Sequence, residues 1–307
     1  MSVDLVLKLT LESRAENDFQ HLFTAHSNTE LHNVARKSYR VNFPGGNGYQ
    51  LAGIVDRPAP PSDSSPQDTL IVVFSHCFTC NKDLKAIVRI SRALSEQGIT
   101  VLRYDMTGLG GSSGDFAKTN FTTNQADLAA AIRFAEKELG SVTALMGHSF
   151  GGAVSLAHAG NPADSPATEL KAVVTLAAPS DTRHLADLLA RRDPDIEKLG
   201  RGSVTIGGIN WEIEQQMLAD FRTHDLPAMI PDIKAATLLF HSPNDETVNF
   251  DHALRIMGLM QNAPGTPNVP SLIALQNADH LLVKNPSDLQ FVADTTAAFL
   301  QRYAKPA

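Results

Sequence analysis

The sequence predicts an α/β protein whose central sheet is mostly parallel, with helices on both faces and a small helical insertion over one edge. Short apolar runs typical of buried strands recur along the chain, the first clear one at residues 70–74. Stretches with the period of amphipathic helices, such as residues 84–98 and 128–140, separate these runs. Between one strand and one helix, residues 147–151 read Gly-His-Ser-Phe-Gly. Alternating strands and helices build a parallel sheet, and ligands bind where its strands end.

The other elements follow from the same patterns. Residues 38–43 and 49–55 flank a Pro-Gly-Gly-Asn-Gly segment, which predicts a β-hairpin. One helix is predicted directly after residue 151, and the last helix, over residues 289–303, has a buried apolar stripe. The remaining strands are predicted at residues 99–104, 142–146, 173–176, 237–240 and 272–275.

Three segments organise the chain. Residues 37–307 are predicted to form one α/β domain, preceded by residues 1–36 as an N-terminal extension of unknown role. Residues 181–235 hold no strong buried strand, but two charged amphipathic stretches around a Gly-rich patch. We interpret this segment as a cap inserted over the active edge of the sheet. The alternative is an ordinary run of packing helices.

The composition of the 307 residues argues against several classes of function. A hydrophobic content of 43% and a charged content of 19% indicate a soluble globular protein. A formal net charge of −7 argues against nucleic acid or an anionic membrane surface as the main partner. No apolar run is long enough to span a membrane, and the charged N-terminus does not suit a signal peptide.

The two cysteines, Cys77 and Cys80, form a Cys-x-x-Cys motif. Two cysteines indicate no disulfide framework, so we expect a cytoplasmic location. A metal site would need more ligands than these two and His76, so no metal is expected. We interpret the pair as small, semi-buried thiols in a loop. A redox switch beside the active site is the alternative.

Ser149 is the candidate nucleophile. A serine between a buried strand and a helix, in a Gly-x-Ser-x-Gly turn, is the setting in which a serine becomes a nucleophile. The turn is too tight for side chains at Gly147 and Gly151, which lie two residues before and after the serine. The alternative is a Gly-rich turn that happens to hold a serine.

A serine nucleophile needs a base and an acid, which follow it in the order acid, then histidine. Asp245 comes a few residues after the strand at 237–240, with Glu246 and Asp251 as weaker candidates. The alternative for Asp245 is a carboxylate that only caps a turn. His280 follows the strand at 272–275 and is the last histidine of the chain. Its alternative is a histidine in a surface loop.

An oxyanion hole would complete the site. One donor is the backbone N–H after the nucleophile, which belongs to Phe150. The other comes from the loop after the strand at 70–74, and the N–H of Phe78 is the candidate.

These residues carry a resemblance to a known superfamily. Residues 75–84 read Ser-His-Cys-Phe-Thr-Cys-Asn-Lys-Asp-Leu, and residues 105–112 read Asp-Met-Thr-Gly-Leu-Gly-Gly-Ser. With the turn at 147–151 and the settings of Asp245 and His280, the chain resembles the α/β-hydrolase superfamily of serine hydrolases from about residue 37 onward. Residues 75–84 and 104–113 are most similar to bacterial hydrolases that are often fused to an OsmC-like peroxidase domain. We expect this chain to lack that second domain, so it gives no support for a peroxide-related role.

The resemblance implies the α/β-hydrolase fold and a Ser149–His280–Asp245 triad, with Phe78 and Phe150 as oxyanion donors. Most of the superfamily has glycine after the loop histidine, whereas this chain has Cys77, whose side chain is expected to narrow the pocket. No cofactor is implied.

We therefore predict a serine hydrolase of carboxylic esters with small to medium acyl chains. Thioesterase, amidase, peptidase, acyltransferase and cofactor-free haloperoxidase activities use the same triad and stay open, because a fold does not choose among them. A ligand-binding receptor or scaffold is the non-enzymatic alternative. The expected partner is a small-molecule ester, and a homodimer is possible. The residues expected around the substrate are His76, Cys77, His148, Trp211, Met217 and Phe221.

Overall fold

The computed structural model describes residues 36–59, 70–161, 170–263 and 269–305. The extension predicted over residues 1–36 therefore lies outside the described residues, apart from Arg36, which begins the first strand. The described strands are β1 (Arg36–Pro44), β2 (Gln50–Pro58), β3 (Ile71–Ser75), β4 (Thr100–Tyr104), β5 (Ala144–His148), β6 (Ala172–Leu176), β7 (Arg201–Ile206), β8 (Ile209–Glu214), β9 (Ala236–His241) and β10 (Ser271–Ala274). The described α-helices are α1 (Lys85–Glu96), α2 (Phe121–Glu138), α3 (Phe150–Gly160), α4 (Arg183–Arg192), α5 (Asp195–Lys198), α6 (Gln215–Thr223), α7 (Leu226–Met229), α8 (Asp251–Gln261) and α9 (Pro286–Tyr303).

Eight of these strands form one sheet in the order β1-β2-β4-β3-β5-β6-β9-β10. From β4 to β10 all neighbours are parallel, whereas β1 pairs with β2, and β2 with β4, in antiparallel fashion. The prediction of a mostly parallel sheet and of a β1–β2 hairpin is confirmed. Every residue of β3, β4, β5 and β6 is buried, because helices cover both faces.

The helices divide the core into two layers. On one face, Ile87 and Ile90 of α1 and Val292 of α9 lie in a cluster with Phe74 of β3. On the other face, α2 and α3 and the segment between β6 and β9 share a larger cluster. Parallel strands buried between two helical layers end at one edge of the sheet, where the loops after β3, β5, β9 and β10 meet.

The segment predicted as a helical cap contains a β-hairpin as well as helices. Strands β7 and β8 pair in antiparallel register and are joined by Gly207 and Gly208, which have φ angles of 61° and 81°. Two consecutive residues with positive φ form the type of two-residue turn that matches the twist of a hairpin. The sequence analysis predicted helices in this segment but not the hairpin, whose alternating apolar residues such as Val204 and Ile213 bury one face.

Candidate active site

Ser149 lies at the sharp turn between β5 and α3. Its φ and ψ angles are 52° and −118°, a conformation that costs a non-glycine residue free energy. The backbone holds it there, since the N–H of Ser149 donates a hydrogen bond of 2.7 Å to the carbonyl of Leu176 at the end of β6. Gly147 and Gly151 lie so close to neighbouring backbone that a Cβ on either would overlap a carbonyl oxygen. The glycines of the motif thus allow the turn, as expected from the sequence.

The loops after β9 and β10 bring a carboxylate and an imidazole to this serine. The Nε2 atom of His280 lies 3.0 Å from the Ser149 Oγ, and its Nδ1 lies 2.7 Å from Asp245 Oδ2. The other carboxylate oxygen, Oδ1, accepts hydrogen bonds from the N–H groups of Thr247 and Val248, at 2.8 and 2.9 Å. With Nδ1–H donating to the carboxylate, Nε2 is free to accept the serine hydroxyl proton.

The weaker acid candidates lie elsewhere. Glu246 is exposed, and Asp251 begins α8. Asp279 shapes its loop, because its Oδ1 accepts the N–H groups of Val283 and Lys284.

Electrostatics keep Asp245 charged. Burial raises the pKa of this carboxyl. The hydrogen bond from His280, the charge of that histidine, and the N–H groups of Val248 and Thr247 together lower the pKa by a larger amount. The net shift is downward, so Asp245 is a carboxylate at neutral pH and stabilises positive charge on His280.

His148 lies beneath the triad. Its Nε2–H donates a hydrogen bond of 2.8 Å to the backbone carbonyl of His280, which ties the loop after β10 to β5. Burial, followed by the charge of His280, lowers the pKa of His148 to about 3. His148 is therefore neutral at physiological pH and supports the position of His280.

The oxyanion loop, residues 75–80, is fixed by a disulfide between Cys77 and Cys80. The interpretation of these residues as two thiols is wrong for this structure. The Cys80 N–H also donates to the Cys77 carbonyl at 3.2 Å, and Thr79 has a φ angle of 58°, so the four residues form a tight turn whose Cα ends are 5.3 Å apart. This closeness allows the disulfide.

The buried ring of His76 fixes the same turn through two hydrogen bonds. Its Nδ1 donates to the Cys77 carbonyl at 2.8 Å, while its Nε2 accepts the N–H of Met106 at 3.0 Å. Because a peptide is planar, fixing the Cys77 carbonyl also fixes the N–H of Phe78, which belongs to the same peptide unit. The roles of Phe78 and Phe150 as oxyanion donors stay a prediction.

A buried ion pair fixes the backbone just after this loop, at Lys82. The sequence analysis missed this pair. Asp105 accepts the backbone N–H of Lys82 at 2.6 Å, the Lys82 ammonium at 2.7 Å and the Gly111 N–H at 2.7 Å. Arg103 adds hydrogen bonds to the carboxylates of Asp56 and Asp83, at 2.8 and 2.9 Å. Breaking a buried pair of this kind leaves an uncompensated charge, so the network holds the loop firmly.

A cavity of about 620 Å³ opens on Ser149 and His280. Of the residues expected around the substrate, Cys77 lines this cavity, as do both oxyanion candidates. The apolar part of the wall was missed by the sequence analysis and includes Leu185, Leu188, Leu189, Ile206, Ile209, Val248 and Leu281.

The other five expected pocket residues do not line this cavity. His76 and His148 are fully buried beneath it. Met217 and Phe221 lie in the core, because the apolar face of α6 packs toward α2 and α4 rather than toward the opening. The Trp211 ring packs on Phe116, with the ring centroids 4.8 Å apart.

The described residues offer no group of three or more His, Cys, Asp or Glu side chains suited to a metal ion. In the same part of the chain, no helix has the length and apolar character needed to cross a membrane.

A family model described as "Serine aminopeptidase, S33" matches residues 67–225. The chain belongs to this family. The chain is also 35% identical to the esterase domain of a Rhodothermus marinus protein, covering 87% of this chain and 99% of that one, with a TM-score of 0.65. Together with the sheet topology, this places the chain in the α/β-hydrolase superfamily and confirms the predicted fold.

More distant structures share the fold alone. Est1E from Butyrivibrio proteoclasticus, solved with ferulic acid bound, has a TM-score of 0.69 at 19% identity, covering 85% of this chain and 98% of that one. The α/β hydrolase GrgF from Penicillium sp. sh18 has a TM-score of 0.67 at 20% identity, covering 87% and 99%. A comparison with curated proteins found no match.

Proposed function

We propose that this protein cleaves carboxylic esters with small to medium acyl groups through an acyl-enzyme on Ser149. The observation that carries this proposal is the continuous hydrogen-bond chain from Asp245 through His280 to Ser149, at 2.7 and 3.0 Å, opening on a cavity. The esterase domain at 35% identity supports the choice of ester.

The reaction begins as the Ser149 Oγ attacks the ester carbonyl carbon while His280 Nε2 takes the hydroxyl proton. The carbonyl oxygen becomes an oxyanion, which the N–H groups of Phe78 and Phe150 stabilise. The tetrahedral intermediate collapses, and His280 gives its proton to the departing alkoxide, leaving an acyl-serine. Water then attacks this acyl group, His280 accepts a proton from the water, and Ser149 recovers its proton as the acid leaves. Asp245 holds the imidazole in the productive tautomer throughout.

The cavity favours an apolar acyl group. Leucines of α4, the tip of the β7–β8 hairpin, and Val248 and Leu281 surround the space next to Ser149. Burial of methylene groups against such side chains contributes about 0.8 kcal/mol each. Medium acyl chains should therefore bind better than acetyl.

The family description raises an aminopeptidase as the second candidate. Such an enzyme needs a free carboxylate to hold the substrate's α-ammonium group. Asp83 is the acidic residue among the described residues that line the cavity, and it already forms ion pairs with Arg103 and Lys82 at 2.9 and 3.3 Å. We therefore rank peptides below esters. Thioesterase activity and a receptor without turnover are tested by the same experiment.

Three further expectations stay proposals. The likeness of residues 75–84 to hydrolases fused to OsmC-like domains is one, and a homodimer is another. The third is a cytoplasmic location, and the Cys77–Cys80 disulfide argues against it, because cytosolic thiols are kept reduced.

The test is a series of p-nitrophenyl esters from acetate to dodecanoate, with an acyl thioester and an aminoacyl p-nitroanilide beside them. We expect kcat/KM to rise from acetate to hexanoate, and Ser149→Ala to lose about 10⁶-fold in kcat. Ser203→Ala is the matched control, since Ser203 is exposed on β7. Turnover of the anilide but not of the esters would support the peptidase instead, and no turnover of any substrate would favour the receptor.

A further inference from the structure

Two cationic side chains stand in the wall of the otherwise largely apolar cavity. Lys85 at the start of α1 and Arg192 at the end of α4 both line the space that contains Ser149. The chain has a formal net charge of −7, so a general excess of basic residues does not explain cations at this place.

Among the described residues, no carboxylate forms an ion pair with Lys85 or Arg192, whereas other acids near the cavity pair with other bases. The polar contact of Arg192 is a hydrogen bond of 3.4 Å to the Thr205 carbonyl in the β7–β8 hairpin. The acidic residue among the described residues of the wall is Asp83, which pairs with Arg103 and Lys82. His184, the remaining titratable residue of the wall besides His280, is hydrogen-bonded to Asp181. The two cations of the wall therefore outnumber its one carboxylate, which leaves a net positive charge.

The position of Arg192 on α4 sets this cation in line with apolar side chains. Leu185, Leu188, Leu189 and Arg192 follow helical spacing and line the same cavity. Arg192 lies seven residues after Leu185, which is roughly 10 Å along the helix axis. A row of leucines therefore leads along α4 to Arg192, and Lys85 of α1 belongs to the wall of the same cavity.

We propose that the preferred substrate is an ester that also carries a carboxylate, separated from the scissile bond by an apolar chain. The leucines of α4 would contact the chain, and Arg192 with Lys85 would bind the carboxylate by charge-assisted hydrogen bonds. The positive wall would also attract anionic substrates and raise their association rate. This inference rests on the proposed esterase activity and names its substrate class.

The first test compares mono-p-nitrophenyl suberate with p-nitrophenyl octanoate, which have equal chain lengths. The measured quantity is the ratio of their kcat/KM values. We expect Arg192→Gln and Lys85→Gln each to lower this ratio about threefold to tenfold, because the carboxylate of the suberate ester loses a charged partner and octanoate has no such group to lose. Raising the salt concentration to 0.5 M should lower the wild-type ratio as well. The matched control is Arg191→Gln, because Arg191 is exposed but does not line the cavity.

A second arm places the carboxylate on the alcohol side, by comparing the butyryl ester of 8-hydroxyoctanoate with octyl butyrate. A preference that depends on Arg192 or Lys85 in either arm supports the proposal and assigns the side. Equal ratios in wild type and both variants, in both arms, would overturn it.

A binding measurement separates this inference from the esterase proposal. Calorimetric titration of Ser149→Ala with the monoamide of suberate and with octanamide, which lacks a carboxylate, requires no turnover. Tighter binding of the suberate monoamide that is lost in the Arg192→Gln background supports the anion site even if no ester is hydrolysed. Hydrolysis of octanoate esters without any effect of either cation would refute only the present inference.

Discussion

Replacing Gly151 by alanine should separate the two halves of the proposed oxyanion hole. A Cβ built on Gly151 would lie 2.3 Å from the Ser75 carbonyl oxygen, whereas real Cβ atoms essentially never approach closer than 3.0 Å. The oxyanion loop and the start of α3 must therefore move apart by about 0.7 Å, the difference between these two distances. Phe78 lies on one side of this gap and Phe150 on the other.

A separation of this size should be costly for catalysis. A misplacement of about 1 Å costs roughly 100-fold in rate, so we expect Gly151→Ala to lose about tenfold to 100-fold in kcat. The loss should fall on kcat more than on KM, because the oxyanion forms only in the transition state. The assay is hydrolysis of p-nitrophenyl hexanoate at a temperature where circular dichroism shows the variant folded.

Two alanine variants are matched controls. Gly160→Ala produces a comparable clash, with the Met229 carbonyl, but at the other end of α3, so it should lower stability and keep kcat. Gly258→Ala on α8 meets no atom within 4 Å and should raise stability by about 1 kcal/mol through helix propensity. A folded Gly151→Ala variant with kcat within twofold of wild type would refute the assignment of the two donors. An equal kcat loss in Gly160→Ala would show that the effect is general instability.

Three further predictions concern the supporting residues. Asp245→Asn should lower kcat about 10⁴-fold by disfavouring the productive tautomer, while Glu246→Gln stays near wild type in the same ester assay; the reverse would move the acid to Glu246. Because the folded pKa of His148, about 3, lies below its unfolded value near 6.5, its contribution to stability is present above pH 6.5 and is lost as pH falls toward 3. Urea unfolding of wild type should therefore lose about 2 kcal/mol more than His148→Gln between pH 7 and pH 5; equal losses would refute the assignment. Reducing the Cys77–Cys80 disulfide opens a four-residue ring, which should cost about 2 kcal/mol of stability and lower kcat. Urea unfolding and the ester assay, each with and without dithiothreitol, measure the two effects. Unchanged stability and kcat in protein whose cysteines are shown by thiol titration to be reduced would contradict this prediction.

Much of the fold could be predicted because buried parallel strands read as continuous apolar runs. Residues 70–74 and 173–176 differ by only one residue from the ends of β3 and β6. The meeting of Ser149, Asp245 and His280 also followed from order and position, since each lies within about six residues of the end of a strand of the same sheet.

The remaining features depend on information that a linear pattern does not carry. The β7–β8 hairpin is half exposed, and its Gly207–Gly208 turn resembles an ordinary loop. The Cys77–Cys80 spacing suits a disulfide only once Thr79 adopts a positive φ. Met217 and Phe221 illustrate a second limit, because an apolar side chain on an amphipathic helix suits a core and a cavity equally well.

The most direct test of the central claim is covalent labelling by a fluorophosphonate, followed by peptide mass spectrometry. The account predicts a single adduct on Ser149, absent in Ser149→Ala and formed at least about 100-fold more slowly in His280→Ala. The label should also block ester hydrolysis in proportion to its stoichiometry. An adduct on another residue, or ester turnover that persists in fully labelled protein, would contradict the account.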